Sequence, residues 1–180
     1  IIKSRFSGPV FFKQKKVGRG FQSFYLYRFR TMEESSLLSE SSTTVKFEPK
    51  VMPFGLRLRD LKLDALPQLF NILKGEMSFV GPRPESADYV ELFRSDYETI
   101  LGVRPGLVDL SSITPIDENT TLTGSGFSSE FYACAALPKK NKFALTYVSE
   151  KSFLLDLKIL FTTAVNLFLA LPSPGDKEGQ

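Results

Sequence analysis

Between Phe54 and Pro84 the chain reads FGLRLRDLKLDALPQLFNILKGEMSFVGPRP, and one proline limits how this segment can fold. Pro67 is tolerated in the first turn of a helix but not further in, because it lacks an N–H and its ring clashes with the preceding turn. Leu66, Leu69, Phe70 and Leu73 recur at helical spacing, so a helix is expected to start near Pro67, with Asp64 at or next to its N-cap. A carboxylate there is held ionised, and the free N–H groups of the helix start suit phosphate. Arg57, Arg59 and Arg83 add planar guanidinium forks for phosphate oxygens. The combination points to phosphoryl chemistry on a carboxylate nucleophile. From Asp64 alone, however, capping is the commoner role. Gly81-Pro82-Arg83-Pro84 also reads as an ordinary rigid turn whose prolines aim Arg83 outward.

Composition narrows the chemistry. The chain has no histidine, which excludes a His-based triad or His-ligated zinc and leaves carboxylates, Lys, Arg and Tyr for polar work. Its single cysteine, Cys134, forms no intramolecular disulfide and reads as a small buried apolar residue. A length of 180 residues makes one domain the default and allows a proper core. The net charge of +3 hides an asymmetry, since Lys3, Arg5, Lys13, Lys15, Lys16, Arg19, Arg28 and Arg30 all precede the first acid, Glu33. Such a run is commonly a solvated face. Interleaved with Phe6, Phe11, Phe12, Phe21 and Phe24, it also suits anionic lipid headgroups. No RNP motif or recognition helix supports a nucleic-acid partner. The longest apolar-rich stretch, Ile159 to Leu171, falls short of the roughly 20 residues needed to cross a bilayer.

Along the chain, residues 10–14 and 24–32 read as paired strands around a Gly-rich turn at 17–20, with Arg28 and Arg30 on one face. Taken alone, that pair is equally well two exposed strand arginines. Residues 33–48, rich in Ser, Thr and Glu without periodicity, read as a mobile surface loop. Residues 88–101 read as one helix with Tyr89, Leu92, Phe93, Tyr97 and Ile100 on its apolar face; Asp88, Glu91, Asp96 and Glu98 form a solvated face. The low-complexity stretch 114–129 reads as loop, and its Asp117 and Glu118 are substitute metal ligands of little weight. In a last helix near 152–171, Phe153, Leu157, Leu160, Phe161, Ala164, Leu167 and Phe168 share a face expected to pack in the core. Tyr147 and Lys142 read as local structure.

Four blocks, at 7–32, 54–85, 103–113 and 137–163, occur in an order that resembles the catalytic domain of the bacterial sugar transferases, the monotopic polyprenyl-phosphate phosphoglycosyl transferases. The resemblance implies a helix-rich α+β single domain over 1–180 with a small N-terminal β-hairpin. It also implies a two-step reaction. An aspartate matching Asp64 attacks the sugar-linked phosphate of a UDP-sugar and expels UMP, and polyprenyl phosphate then takes the phosphosugar from the carboxylate. Carried over residue by residue, Arg59, Arg83 and Arg104 are phosphate-side cations, and Arg104 opens a match to the family's Arg-Pro-Gly motif. Arg28, where the family usually has Lys, is a substrate-facing cation. Asp156 matches a family aspartate near the catalytic centre and supports the site.

One position departs from this pattern. The family reads Asp-Glu-Leu-Pro-Gln where this chain reads Asp64-Ala65-Leu66-Pro67-Gln68, and the family glutamate helps hold Mg²⁺. A methyl group offers no oxygen to a hard cation, which places the Mg²⁺ site in doubt. An engineered knock-out, a natural loss of activity and a relocated ligand stay open, as does a pseudoenzyme that binds nucleotide-sugar or glycan-assembly partners. The family also carries a membrane-embedded helix before the SGPVFF block, whereas this sequence opens at Ile1. The implied form is a fragment attached peripherally at the cytoplasmic face of the bacterial inner membrane, with UDP-sugar, polyprenyl phosphate and an anionic membrane surface as partners.

Overall fold

The computed structural model describes residues 9–31, 53–114 and 132–169. The expected loop at 33–48 and the acids Asp117 and Glu118 lie outside these residues. The fold is helix-rich α+β with an N-terminal antiparallel hairpin, as the sequence implies. Two compact units are distinguished, one of residues 1–14 and 25–71, the other of 15–24 and 72–180.

The hairpin pairs β1 (Phe11–Val17) with β2 (Ser23–Phe29). Gly18 N–H donates to the Gln22 carbonyl at 2.8 Å and Arg30 N–H to the Val10 carbonyl at 3.0 Å, which sets one antiparallel register from tip to base. In the first unit, Phe11 stacks on Phe29 with ring centroids 5.7 Å apart. Helix α1 (Pro53–Asp60) follows, and Gly55 lets it approach the end of the hairpin. A Cβ at Gly55 would sit 2.4 Å from the Thr31 carbonyl oxygen, so no larger residue fits without moving backbone. A 3₁₀ turn (Leu63–Gln68) then runs directly into α2 (Leu69–Leu73).

In the second unit β3 (Ser78–Val80) pairs in parallel with β4 (Gly106–Val108), with Ser78 opposite Gly106 and Val80 opposite Val108. The crossover between them holds α3 (Ala87–Leu92) and α4 (Arg94–Ile100). The single helix expected at 88–101 is thus two. Phe93 leaves helical geometry at φ −118°, ψ 39°, and its carbonyl accepts from Asp96 and Tyr97 N–H as the start of α4. The break turns Tyr97, Ile100 and Leu101 into a core with Val17 and Val90, while Leu92 stays exposed.

A π-helical turn (Tyr132–Ala136) leads into α5 (Leu137–Glu150), and α6 (Phe153–Leu169) completes the described chain. Cys134 is exposed, contrary to its expected burial, because Ala133 is the residue this turn buries.

Of the α6 face expected in the core, Leu160 packs there, but Phe153, Leu157, Phe161 and Phe168 are exposed. Ile159 is 0% exposed and packs with Val80, Tyr147, Leu155 and Leu160, whereas Phe153 and Phe161 are 80% and 71% exposed. Apolar residues lie on nearly every side of this helix, so its periodicity is nearly silent about which stripe turns inward. A polar anchor decides it: Asp156, one turn before Ile159, accepts a hydrogen bond from Tyr147 Oη at 2.8 Å. Ile159→Ala is therefore expected to cost about 2–5 kcal/mol in urea unfolding. Phe161→Ala should change stability by less than about 0.5 kcal/mol; the opposite ranking would restore the orientation read from periodicity.

Candidate active site

Asp64 lies in the first turn of the 3₁₀ segment and is 8% exposed. It is not the N-cap. That place belongs to Lys62, held in left-handed backbone at φ 54°, and no side chain caps the turn. The difference arises because Pro67 sits inside a tight six-residue 3₁₀ turn rather than opening an α-helix. The regular helix after it spans five residues, too short for its terminus to serve as an anion site. Leu66, Leu69, Phe70 and Leu73, the residues that announced a helix, are all exposed.

What faces Asp64 is a side chain from the hairpin. Arg28 Nη1 lies 3.5 Å from Asp64 Oδ2, with side chains 33% and 11% exposed. Neither strand arginine is simply solvated, since Arg28 is half-buried and Arg30 is buried. An amide sets this register. Asn71, fully buried, accepts from Tyr27 N–H at 3.2 Å through Oδ1 and donates from Nδ2 to the Tyr25 carbonyl at 2.7 Å. It thereby imitates a neighbouring strand along β2 and places Arg28, the next residue, against the turn that carries Asp64. Arg59 of α1 is held elsewhere, its Nε donating to Thr31 Oγ1 at 3.0 Å. Asn71 and Thr31 were not singled out from the sequence. An amide inside the apolar run Leu69-Phe70-Asn71-Ile72-Leu73 was the available signal.

The other expected site residues belong to the second unit. Arg83 is exposed between buried Pro82 and Pro84, beside a small recess that Glu85, Tyr97, Lys140 and Tyr147 also line. Arg104 lines a separate open recess with Arg19, Ser23, Gly75 and Glu76. The turns carrying the two arginines nevertheless meet through backbone. A Cβ on Gly106 would lie 2.1 Å from Gly81 N, and one on Gly81 would lie 2.6 Å from the Arg104 carbonyl oxygen.

Asp156, expected to support the site, is taken by Tyr147, whose hydroxyl also lies 3.4 Å from the Val80 carbonyl oxygen. Tyr147 therefore does more than local work. Glu85 is buried as well: Tyr132 Oη donates to Oε1 at 2.7 Å, and Lys16 Nζ lies 3.6 Å from Oε2.

The donor set does not suit a hard dication. Ala65 presents a methyl group beside Asp64, Arg28 already faces that carboxylate, and among the described residues no group of three acidic or thiol side chains is placed to hold a metal.

Four phenols, Tyr89 among them, keep their protons beyond the ordinary value of 10.0. Burial is the first cause for Tyr97, Tyr132 and Tyr147, followed by the charge of Glu85 for the first two and the hydrogen bond to Asp156 for the third. As pH rises the unfolded chain releases these protons first. The stability they contribute is whole below about pH 10 and falls above it. Tyr132→Phe and Tyr147→Phe each remove one such group and should flatten the decline of the urea midpoint between about pH 10 and pH 11; an unaltered slope would refute the assignment.

The sequence is similar to those of several known proteins. A family model described as bacterial sugar transferase matches residues 1–170. The chain is 32% identical over 177 residues to the UDP-glucose:undecaprenyl-phosphate glucose-1-phosphate transferase of Xanthomonas campestris pv. campestris, covering 92% of this chain and 33% of that protein. It is 34% identical over 178 residues to the exopolysaccharide production protein ExoY of Sinorhizobium fredii, covering 91% and 72%. A UDP-N-acetylgalactosamine-undecaprenyl-phosphate N-acetylgalactosaminephosphotransferase of Aeromonas hydrophila is 39% identical over 112 residues, covering 59% and 26%. The chain thus spans about a third of the length of the Xanthomonas relative.

Proposed function

Since the chain belongs to the bacterial sugar transferase family, we propose that it acts on a UDP-sugar and a polyprenyl phosphate, moving the phosphosugar from one to the other with release of UMP. The observation that carries this reading is the buried Asp64 carboxylate facing Arg28 at 3.5 Å. The names of the relatives support both substrates and the use of the product in polysaccharide assembly. They name different sugars, so the sugar is left at the level of a UDP-hexose.

In the first step an Asp64 oxygen forms a bond to the sugar-linked phosphorus as the bond from that phosphorus to the UMP oxygen breaks. In the second, a phosphate oxygen of the polyprenyl carrier attacks the same phosphorus and frees the carboxylate. Two anions must approach in each step, and a fixed guanidinium beside the nucleophile offsets their repulsion, the role assigned to Arg28. On the resemblance, Arg59, Arg83 and Arg104 are assigned further phosphate-side charge and Asp156 a supporting role. No step is routed through Mg²⁺. Ala65 favours a second reading, a protein that binds nucleotide-sugar or assembly partners without turnover, because it removes the family's metal-binding carboxylate.

Restoring that carboxylate separates the readings. Ala65→Glu should raise UMP release at least roughly tenfold in an assay with UDP-sugar, polyprenyl phosphate and Mg²⁺ in detergent, and should make it depend on Mg²⁺. Equal rates before and after would count against the metal argument. In that background Asp64→Asn should abolish transfer yet move the thermal midpoint by only a few degrees, since the partly exposed pair with Arg28 is worth about 0–1 kcal/mol. Retained turnover would remove Asp64 as the nucleophile.

The membrane surface is the second partner in this proposal. No helix among the described residues is long and apolar enough to cross a membrane. The outer side of α6 exposes Phe153, Leu154, Leu157, Phe161, Phe168 and Leu169. Its one acid, Asp156, is turned to Tyr147, while Lys151 and Lys158 are exposed near its start. Such a face suits the headgroup boundary of an anionic bilayer, with the apolar side chains inserted. Vesicle flotation should show binding that persists from about 0.1 M to about 1 M salt, where the Debye length falls from ~10 Å to ~3 Å. The double substitution Leu157→Glu, Phe161→Glu should abolish the salt-resistant part. Complete release by salt would instead assign the contact to basic hairpin residues such as Lys13 and Lys15.

A further inference from the structure

Arg83 stands in a turn whose backbone is tied on both sides. Before it, Gly81 N–H donates to the Val108 carbonyl at 3.0 Å, and the Pro82 carbonyl accepts from Gly106 N–H at 2.9 Å. After it, the Glu85 carbonyl accepts from Val17 N–H at 2.9 Å in an antiparallel bridge between Val17 and Glu85. Pro82 and Pro84 fix their own φ angles and are buried, which leaves Arg83 as the exposed side chain of the span. Glu85 follows the turn and is buried. Each of its carboxylate oxygens has its own partner, Tyr132 Oη on Oε1 and the Lys16 ammonium near Oε2.

Tyr132 is held in turn. Its ring lies 5.2 Å from that of Tyr89, with the Lys140 ammonium 4.9 Å from its centroid and 3.4 Å from its hydroxyl. The charge of Arg83 reaches this phenol, opposing the pull of Glu85 on its proton. A buried carboxylate with separate partners for its two oxygens specifies a conformation more than it adds stability. The residue it specifies here is two positions away.

We propose that Glu85, clamped by Tyr132 and Lys16, is a positioning residue that holds Arg83 in the orientation in which it meets the phosphates of the sugar nucleotide. This rests on the phosphate role given to Arg83 above and adds a network that sets its direction. Lys16 also ties the hairpin tip to the clamp.

Calorimetric titration of the whole chain with UDP tests the clamp. Tyr132→Phe deletes one oxygen and keeps the ring, and should weaken UDP binding about fivefold. Arg83→Ala should weaken it roughly tenfold or more. With Arg83→Ala already in place, adding Tyr132→Phe should leave affinity within about twofold, because no guanidinium remains to be oriented. Its shift of the thermal midpoint should be the same in both backgrounds. A hydroxyl that is merely structural would change affinity by one factor in both backgrounds or in neither, and either pattern overturns the positioning role. Should Tyr132→Phe fail to fold, Glu85→Gln, which keeps an acceptor for Tyr132 and loses the charge facing Lys16, must show the same coupling to Arg83. An unchanged affinity in Arg83→Ala overturns the phosphate role of Arg83 and this inference together, whereas a loss there without coupling overturns the inference alone.

Discussion

Much of the second unit depends on a backbone contact that side chains would forbid. Gly81 and Gly106 meet at the edge of the parallel pair, and a Cβ on Gly106 would lie 2.1 Å from Gly81 N, deep inside van der Waals contact. This contact lets Gly106 N–H reach the Pro82 carbonyl and Gly81 N–H reach the Val108 carbonyl. Two motifs separated by a helical crossover thereby become one structural piece. The Gly-Pro-Arg-Pro turn and the Arg-Pro-Gly turn owe their shared geometry to hydrogen bonding between main chains, with each arginine left to point outward from it.

The first unit relies on a different device, a buried side-chain amide that stands in for a strand. Asn71 satisfies one N–H and one carbonyl on the free side of β2, each bond worth about 1 kcal/mol net and more if left unmade. Its larger effect is registration. Shifting the turn that carries Asp64 by one residue along β2 would leave the amide without partners and move the carboxylate away from Arg28. The family resemblance therefore singled out Asp64, but the group that places Arg28 against it is an amide that the resemblance does not name.

Legibility varied with the kind of signal. The hairpin was readable because alternating apolar residues flank a Gly-rich turn, and both strands were found within a few residues of their observed bounds. Helix α1 and the three-residue strands β3 and β4 were not read: α1 is only eight residues long, and the strands are too short to show a period. Phe93 broke one expected helix into two without a proline or glycine to announce it. For α6 the helix itself was plain but its orientation was not, since a stripe of phenylalanine and leucine competes with a stripe of isoleucine and leucine on the same cylinder.

By itself the sequence determined the chemical inventory: one carboxylate before Leu-Pro-Gln, arginines without histidine, a methyl group where the family resemblance implies a glutamate, and four ordered blocks that mark the family. These are properties of residue identity and survive any arrangement in space. Tertiary structure alone decided which groups face one another: Arg28 rather than Arg59 beside Asp64, Tyr147 on Asp156, Tyr132 and Lys16 on Glu85. Such pairs join positions 9 to 69 residues apart. Local periodicity carries no information at that range, where the choice belongs to which buried polar atoms can find partners once the chain is packed.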